Sequence, residues 1–336
     1  MPHTTGFDDF GDLLLHVYRL SHEQPLQTFQ DASLDAVRRV LPFDSSMWGS
    51  ATYGATGIDI HTLHLDRQPI EMLAGYEAIK HLDTAAAEVA LQPRATMAFD
   101  AAMQFGAPHQ KAIKAYGERF GQRHFFISSA MNPANGLVQW VTLFRTRADA
   151  HCTESERSLL AAVAPHLQQA MGYNRVRHME ALATNDTHAT HSAPTATRRA
   201  QAVADLRGMV YHATPSFDAL LRGEWSAVPD GRLPQPLMQR FASGNSRFAG
   251  RTLVARCHVE RELLFVNARP SCAADHLTPR EWQVAWLLAK GLSHKEIARQ
   301  LDRAPATVRN HIQAIYRRLG VGSVASLVNE LQAAVD

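Results

Sequence analysis

Residues 277–321 read LTPREWQVAWLLAKGLSHKEIARQLDRAPATVRNHIQAIYRRLGV, and local chemistry alone places three helix starts in them. Thr278, Pro279 and Glu281 supply a capping hydroxyl, a proline at the first helical position and the acid of a capping box. Trp282, Ala285 and Leu288, with Val284 and Leu287 beside them, form an apolar face at helical spacing. Gly291 is the expected left-handed stop. Ser293 and Glu296 repeat the capping box, with Ile297, Ala298 and Leu301 facing inward behind it. Two short helices joined by so tight a turn must cross steeply. Pro305 then marks the first turn of a third helix. Its Val308, Ile312, Ile315 and Leu319 lie within about 60° of one another, a narrow buried stripe. Ala306, Asn310, Gln313 and Arg317 take the opposite side and Arg309 the flank. Such a face carries the donors and acceptors that read guanine and adenine edges. A solvated amphipathic helix has the same periodicity; the tandem capping boxes, the tight turn and the polar outer face together favour a groove-reading helix.

Charge is weaker testimony. The chain of 336 residues has a formal charge of +2, with 46% hydrophobic and 20% charged residues, an ordinary globular balance. From Leu277 onward there are eight basic and five acidic residues, so this end is positive and the remainder nearly neutral. Placement matters more than the total. The length suggests two or three domains. Cys152, Cys257 and Cys272 are an odd number without a C-x-x-C pair, which fits a reducing cytosol rather than a disulfide framework or zinc module. The N-terminus lacks a basic start followed by an apolar core, and the uncharged run 159–173 is too short to span a bilayer. A cytoplasmic location without membrane attachment is expected.

The elements L-T-x-R-E, L-x-x-G-x-S-x-K-E-I-A, T-V-R-x-H, I-x-x-x-L and L-G-V make this end resemble the helix-turn-helix of LuxR/FixJ/NarL-type regulators. The resemblance covers roughly the last sixty residues without gaps. It implies a four-helix, all-α DNA-binding domain over 273–336 whose third helix enters the major groove. A fourth helix, from Ser323 to about Ala334, would support the bundle and can mediate dimerisation. Carried over by position, Arg309, Asn310 and Gln313 would face bases, with Arg317 on the same outer side. Lys295, Thr307 and His311 would sit at or near phosphates. Ala304 stands where that family usually has a serine cap, a loss worth about 1 kcal/mol, and Val324 replaces a commonly basic residue.

Upstream, the fold class expected is multidomain α+β. Residues 1–177 begin with amphipathic helices at 9–20 and 25–41, followed by strands at 46–53 and 58–65. The second strand is read as strictly alternating through Ile58, Ile60, Thr62 and His64. A helix around 69–82, strands at 124–131 and 137–145 joined by the turn sequence NPANG, and a capped amphipathic helix at 153–171 complete the segment. The order resembles a GAF domain, an α/β sensor, most clearly in RTRADAHCTESERSLLAAVAPHLQQA at 145–170. Residues 178–200, rich in Thr, Ala, His and Ser, read as a linker. Residues 201–272 resemble a small PAS domain: GMVY followed by TPSF and a short helix, then a hairpin at 252–257 and 262–266. A plain α/β spacer is the other reading.

No catalytic machinery is expected. There is no G-x-S-x-G, glycine-rich phosphate loop or H-x-x-x-H helix. His61 and His64, three apart in a strand, should point to opposite faces and cannot share a metal. His188 and His191 in the linker lack further ligands, so no metal and no cofactor is anticipated. The acidic strand ends of a receiver domain are missing, as is the Trp-Tyr-Asp spacing of acyl-homoserine-lactone domains around Tyr76 and Asp83, which disfavours both a phosphorylation switch and a lactone sensor. Trp48, Tyr53, Tyr76, Phe125 and Trp140 lie on elements that would converge in a GAF-like fold and are candidate ligand contacts, although buried aromatics more commonly form core. The expected partners are double-stranded DNA, a second copy of the chain, RNA polymerase and a small-molecule effector. A partner protein or a degenerate enzyme-like domain remains the alternative for the upstream half.

Overall fold

The computed structural model describes residues 10–54, 57–92, 94–187 and 200–335. His188, His191 and the first nine residues fall outside them. The first unit runs α1 (Phe10–Glu23), α2 (Phe29–Arg38), β1 (Ser45–Gly54), β2 (Gly57–Asp66), α3 (Glu71–Ile79), α4 (Thr84–Leu91), β3 (Thr96–Asp100), α5 (Ala101–Gln104), α6 (Lys111–Arg119), β4 (His124–Met131), β5 (Val138–Arg145) and α7 (Glu154–Thr187). Its five strands form one antiparallel sheet in the order β2-β1-β5-β4-β3.

Each face of that sheet buries a different set of side chains, as the two-residue period of a strand requires. Trp48, Phe126, Val141 and Leu143 turn toward α1, α2 and α7. α1 meets them with Leu13, Val17 and Leu20, and α7 with Leu160, Val163, Ala164, Leu167, Ala170 and Met171, both at helical spacing. The opposite face carries Met47, Ala51, Phe125, Ile127, Val138, Trp140 and Phe144.

Strand β2 departs from the expected alternation. Its register against β1 shifts where Ser50 pairs Thr62 and Ala51 pairs Ile60, leaving His61 as the extra residue of a β-bulge. Ile58 and Ile60 therefore keep company with Leu63 on the cavity face. His61, Thr62 and His64 all turn the other way: His64 bonds Asp31 of α2, and Thr62 bonds Ser50. The expectation that His61 and His64 face opposite sides fails because the bulge resets the parity.

Helix α7 also outruns its expected end at Met171. Tertiary contacts carry it on: Asn174 Nδ2 donates to the carbonyls of Ser21 and Gln24, and Met179 is buried with Leu26, Val203 and Phe265. Polar composition suggested a linker from 178, but partners remote in sequence hold residues 178–187 helical. Strand β3 and helices α4 and α6 have no counterpart in the sequence reading.

The middle unit comprises β6 (Ala200–Asp205), β7 (Val210–Ala213), α8 (Pro215–Glu224), α9 (Gln235–Ala242), β8 (Arg247–Ala249), β9 (Leu253–Glu260) and β10 (Leu263–Pro270). Its sheet order, β7-β6-β10-β9-β8, repeats the plan of the first: the opening strand lies between the second and the last. Ala202, Ala204, Phe217, Leu221, Leu237, Leu253 and Val266 form its core. Strand β6 is buried along its whole length, with Val203 facing α7 and the small residues Ala202 and Ala204 facing α8. A strand of small residues buried on both faces shows no alternation to read.

Four helices close the chain: α10 (Pro279–Ala289), α11 (His294–Gln300), α12 (Pro305–Leu319) and α13 (Val324–Val335). They enclose Val284, Ala285, Ile297, Ala298, Val308, Ile315, Leu327 and Leu331. Arg269 of β10 tethers this bundle to the middle unit. Its guanidinium donates two bonds of 2.7 Å to Asp275 and a further one to the carbonyl of Ala334 at the end of α13.

Candidate nucleic-acid interface and ligand pocket

Both capping boxes form as the sequence requires. Thr278 N donates to Glu281 at 2.9 Å while Glu281 N reaches Thr278 Oγ1, and Ser293 with Glu296 repeats the pair. Glu281 also accepts Arg318 at 2.5 Å. The Thr278 amide, followed by its hydroxyl and the charge of Arg318, holds the Glu281 carboxyl below its ordinary range. The turn between α10 and α11 passes through Gly291 at φ 87°, and α12 ends on Gly320 at φ 67°, left-handed positions that favour glycine. Ala304 gives α12 no side-chain cap.

On α12, Val308, Ile315 and Leu319 are buried and Ile312 is half-buried, so the stripe is sound but Ile312 sits at its edge. Thr307, Arg309, Asn310, Gln313 and Arg317 are exposed, His311 is half-buried, and Lys295 is exposed on α11. Arg309 Nη2 lies 3.4 Å from His294 Nε2, bringing the flank of α12 against the start of α11. The helix thus presents a fork donor, an amide and a second amide along one outer side, the side chains suited to base edges.

The second candidate site is a cavity of about 150 Å³ on the face of the first sheet away from α7. That is the size of an apolar cavity able to admit a benzene-sized guest. Tyr53, Tyr76, Phe125 and Trp140 line it, joined by Phe105, Tyr116 and Phe144. Trp48 does not. It is buried on the other face, 6.3 Å from the Phe29 ring centroid, because an even position on β1 cannot share a face with Met47, Ala51 and Tyr53. Gly49 lets Trp140 lie close across β1: a Cβ there would fall 2.7 Å from the indole ring.

The polar groups of this cavity are few. Tyr76 donates to Asp83 Oδ2 at 2.7 Å, and Asp83 Oδ1 caps α4 through the amide of Ala86. Burial pushes the Asp83 carboxyl up from its ordinary value and does the same to the Tyr76 phenol. Tyr116, pushed up to about 12 by burial, donates to the Met72 carbonyl. Gln122 Nε2 and Ser129 Oγ are buried in the lining without a hydrogen-bond partner. Buried polar groups are ordinarily satisfied, so such orphans call for an explanation. The sequence reading missed Asp83, Tyr116, Gln122 and Ser129 as pocket residues. For Ser129 a signal existed: it shares the parity of Phe125 and Ile127 on β4.

Residues 275–331 match the luxR family of bacterial regulatory proteins. The transcriptional regulator MalT of Klebsiella pneumoniae is 43% identical over 74 residues, 22% of this chain and 8% of that protein. MalT of Yersinia pestis is 43% identical over 56 residues, 17% of this chain and 6% of that protein. The chain therefore spans less than a tenth of the length of these curated relatives. Among solved structures, an N-acylhomoserine-lactone-dependent LuxR-family factor of Burkholderia cenocepacia covers 49% of this chain and 98% of its own, at 20% identity and a TM-score of 0.36. Escherichia coli SdiA covers 97% of this chain and 98% of its own, at 12% identity and 0.38. The phycoerythrobilin-bound GAF domain of a cyanobacterial phytochrome covers 50% and 97%, at 12% and 0.35. The four-helix bundle and the match over 275–331 together make the C-terminal end of this chain a regulatory domain of the luxR family.

Proposed function

We propose that the chain is a sequence-specific, DNA-binding transcription regulator that acts in the cytoplasm as a homodimer and answers to a small molecule. The observation that carries the DNA reading is the split of α12: Val308, Ile315 and Leu319 are buried while Arg309, Asn310, Gln313 and Arg317 are exposed. Lys295, Thr307 and His311 would contact phosphates beside that helix, and RNA polymerase is the partner that would convert occupancy into output. A single module covers few base pairs, so specificity calls for two modules on a roughly symmetric site. Among the described residues no helix is long and apolar enough to cross a membrane.

The division of labour proposed is a sensory unit over 1–177, a linking segment over 178–200 whose first part is the end of α7, a PAS-like unit over 201–272 and the DNA-binding module over 273–336. The effector would occupy the cavity under α3–α6, its body against Tyr53, Tyr76, Phe125 and Trp140 and a polar group against Gln122 and Ser129. Those two unpartnered side chains favour a small ligand over a partner protein for the upstream half. The test is selection of bound sites by the full chain from a random duplex pool, with mass spectrometry of whatever the purified protein releases on denaturation. Enriched sites related by two-fold symmetry and a stoichiometric small molecule are expected. A pool without enrichment would defeat the DNA reading.

A further inference from the structure

At one end of strands β3 and β4 in the first sheet three side chains converge, the His124 and His151 rings meeting edge to face with centroids 4.5 Å apart. Asp100 ends β3, His124 begins β4 as its paired neighbour, and His151 lies between β5 and α7. One donor atom from each falls within 4.8 Å of the other two. Asp100 Oδ2 is 3.5 Å from His124 Nδ1 and 3.8 Å from His151 Nδ1. Both distances exceed the 2.7–3.2 Å or so of a normal N–H···O bond. They come close to the separation of about 3.4 Å between two donors that each lie about 2.1 Å from one tetrahedral metal ion.

The other polar atoms of the Asp100 and His124 side chains are already engaged. Asp100 Oδ1 accepts the amides of Ala102 and Met103, capping α5 and leaving Oδ2 for the histidines. His124 Nε2 is 3.0 Å from the carbonyl of Ala148, so Nε2 carries the proton and donates. In the neutral ring the Nδ1 lone pair then faces a carboxylate, an arrangement that a metal ion between them, like a proton, would relieve. An imidazole N–H held by a backbone carbonyl, freeing the other nitrogen, is the outer-shell arrangement that fixes a metal-binding histidine. His151 is also pre-positioned: its carbonyl accepts Arg145 Nη1 at 2.8 Å, and Arg145 pairs with Glu156 in the first turn of α7.

We propose that Asp100, His124 and His151 bind one divalent first-row transition-metal ion through two imidazole nitrogens and a carboxylate oxygen. Two imidazoles and one carboxylate suit zinc or ferrous iron and leave coordination positions open for water or a small ligand. The ion clamps the segment before α7 to the edge of β3 and β4. Because α7 also packs on the middle unit, metal occupancy bears on the helix that links the two units.

The full chain, stripped with chelator and titrated with Zn²⁺ alone, tests this directly. One equivalent is expected to bind with a rise in melting temperature, and His151→Ala and Asp100→Asn should each weaken binding at least tenfold. The His151 side chain is 67% exposed, so its alanine variant should melt normally in chelator. Asparagine at position 100 keeps an oxygen to cap α5. Absence of saturable uptake, or uptake unchanged in both variants, overturns the site. Either result is independent of whether the chain reads DNA.

Discussion

His61 Nδ1 lies 2.6 Å from Asp205 Oδ2, with both side chains withdrawn from solvent, so that the first sheet and the middle unit share one buried pair. The β-bulge in β2 aims His61 across the boundary, and its Nε2 is 2.9 Å from Thr52 Oγ1. Asp205 uses its other oxygen to accept the amides of Arg207 and Met209. Beside it Tyr211 bonds Ser50 at 2.6 Å, and the Arg175 guanidinium stacks 4.2 Å over the Tyr211 ring. Glu260 of β9 adds a bond of 2.6 Å from His178 of α7. These polar pairs fix the register of a boundary that also buries the apolar side chains of Leu26, Met179, Val203 and Phe265.

His61→Ala removes one partner and leaves the Asp205 carboxylate buried. Leaving a buried acceptor without its partner typically costs about 1–3 kcal/mol, and more when the acceptor is charged. Urea unfolding should show a loss of that order. A midpoint shift worth less than about 1 kcal/mol would mean that the pair behaves as an exposed one.

Arg309→Ala or Gln313→Ala should relax base preference at one or two operator positions by about 1–3 kcal/mol each, with the fold intact because both side chains face out. Ile315→Ala should do the reverse. It opens a cavity among Val284, Val308 and Leu327, costs about 2–5 kcal/mol, and leaves the preferred bases unchanged. Ile312→Ala should cost less than Ile315→Ala, since Ile312 is only half-buried. Site selection paired with thermal melts checks all four. Unaltered preference in both polar variants would remove α12 from the groove.

Ser129→Ala should leave the ligand-free protein as stable as before or slightly more so, because it deletes a buried hydroxyl without a partner. The same change should weaken retention of the proposed effector. Melting of the stripped protein and quantitation of co-purified ligand separate the two effects. A clear destabilisation without loss of ligand would show that the hydroxyl serves the fold.

Glu156 supplies the pH prediction. Burial alone would raise its carboxyl, but the Arg145 guanidinium and the amide and hydroxyl of Thr153 outweigh it and bring the group to about 2. A carboxyl depressed in the folded state stabilises it above the unfolded value of 4.5, and that contribution fades as pH falls toward about 2. Stability measured in urea should decline across that window, and Glu156→Gln should flatten the decline. An unchanged slope in the variant would show that Glu156 is not among the groups responsible.

The DNA-binding end was legible because its signals are local. Capping boxes, a left-handed glycine and a helical stripe act within one or two turns, and α10, α11 and α12 begin within a residue or so of where Thr278, Ser293 and Pro305 place them, while the start of α13 near Ser323 is what the family resemblance implies. The hairpin of β4 and β5 was legible for the same reason, since NPANG and the flanking apolar runs are contiguous. The five aromatics lie on elements that the GAF resemblance brings together, but strand parity separates Trp48 from Tyr53 and the structure puts Trp48 on the other face of the sheet.

What lay beyond the sequence is what distant partners decide. Strand β6 exists because α7 covers one face and α8 the other. Residues 178–187 are helical because Met179 is buried with Leu26 and Phe265. The bulge at His61 is held by Thr52, Ser50 and Asp205, two of them on another strand and one in another unit. The neighbouring side chains of a short segment fix its caps and its periodicity. They cannot fix a conformation whose stabilisation comes from burial against elements outside that segment.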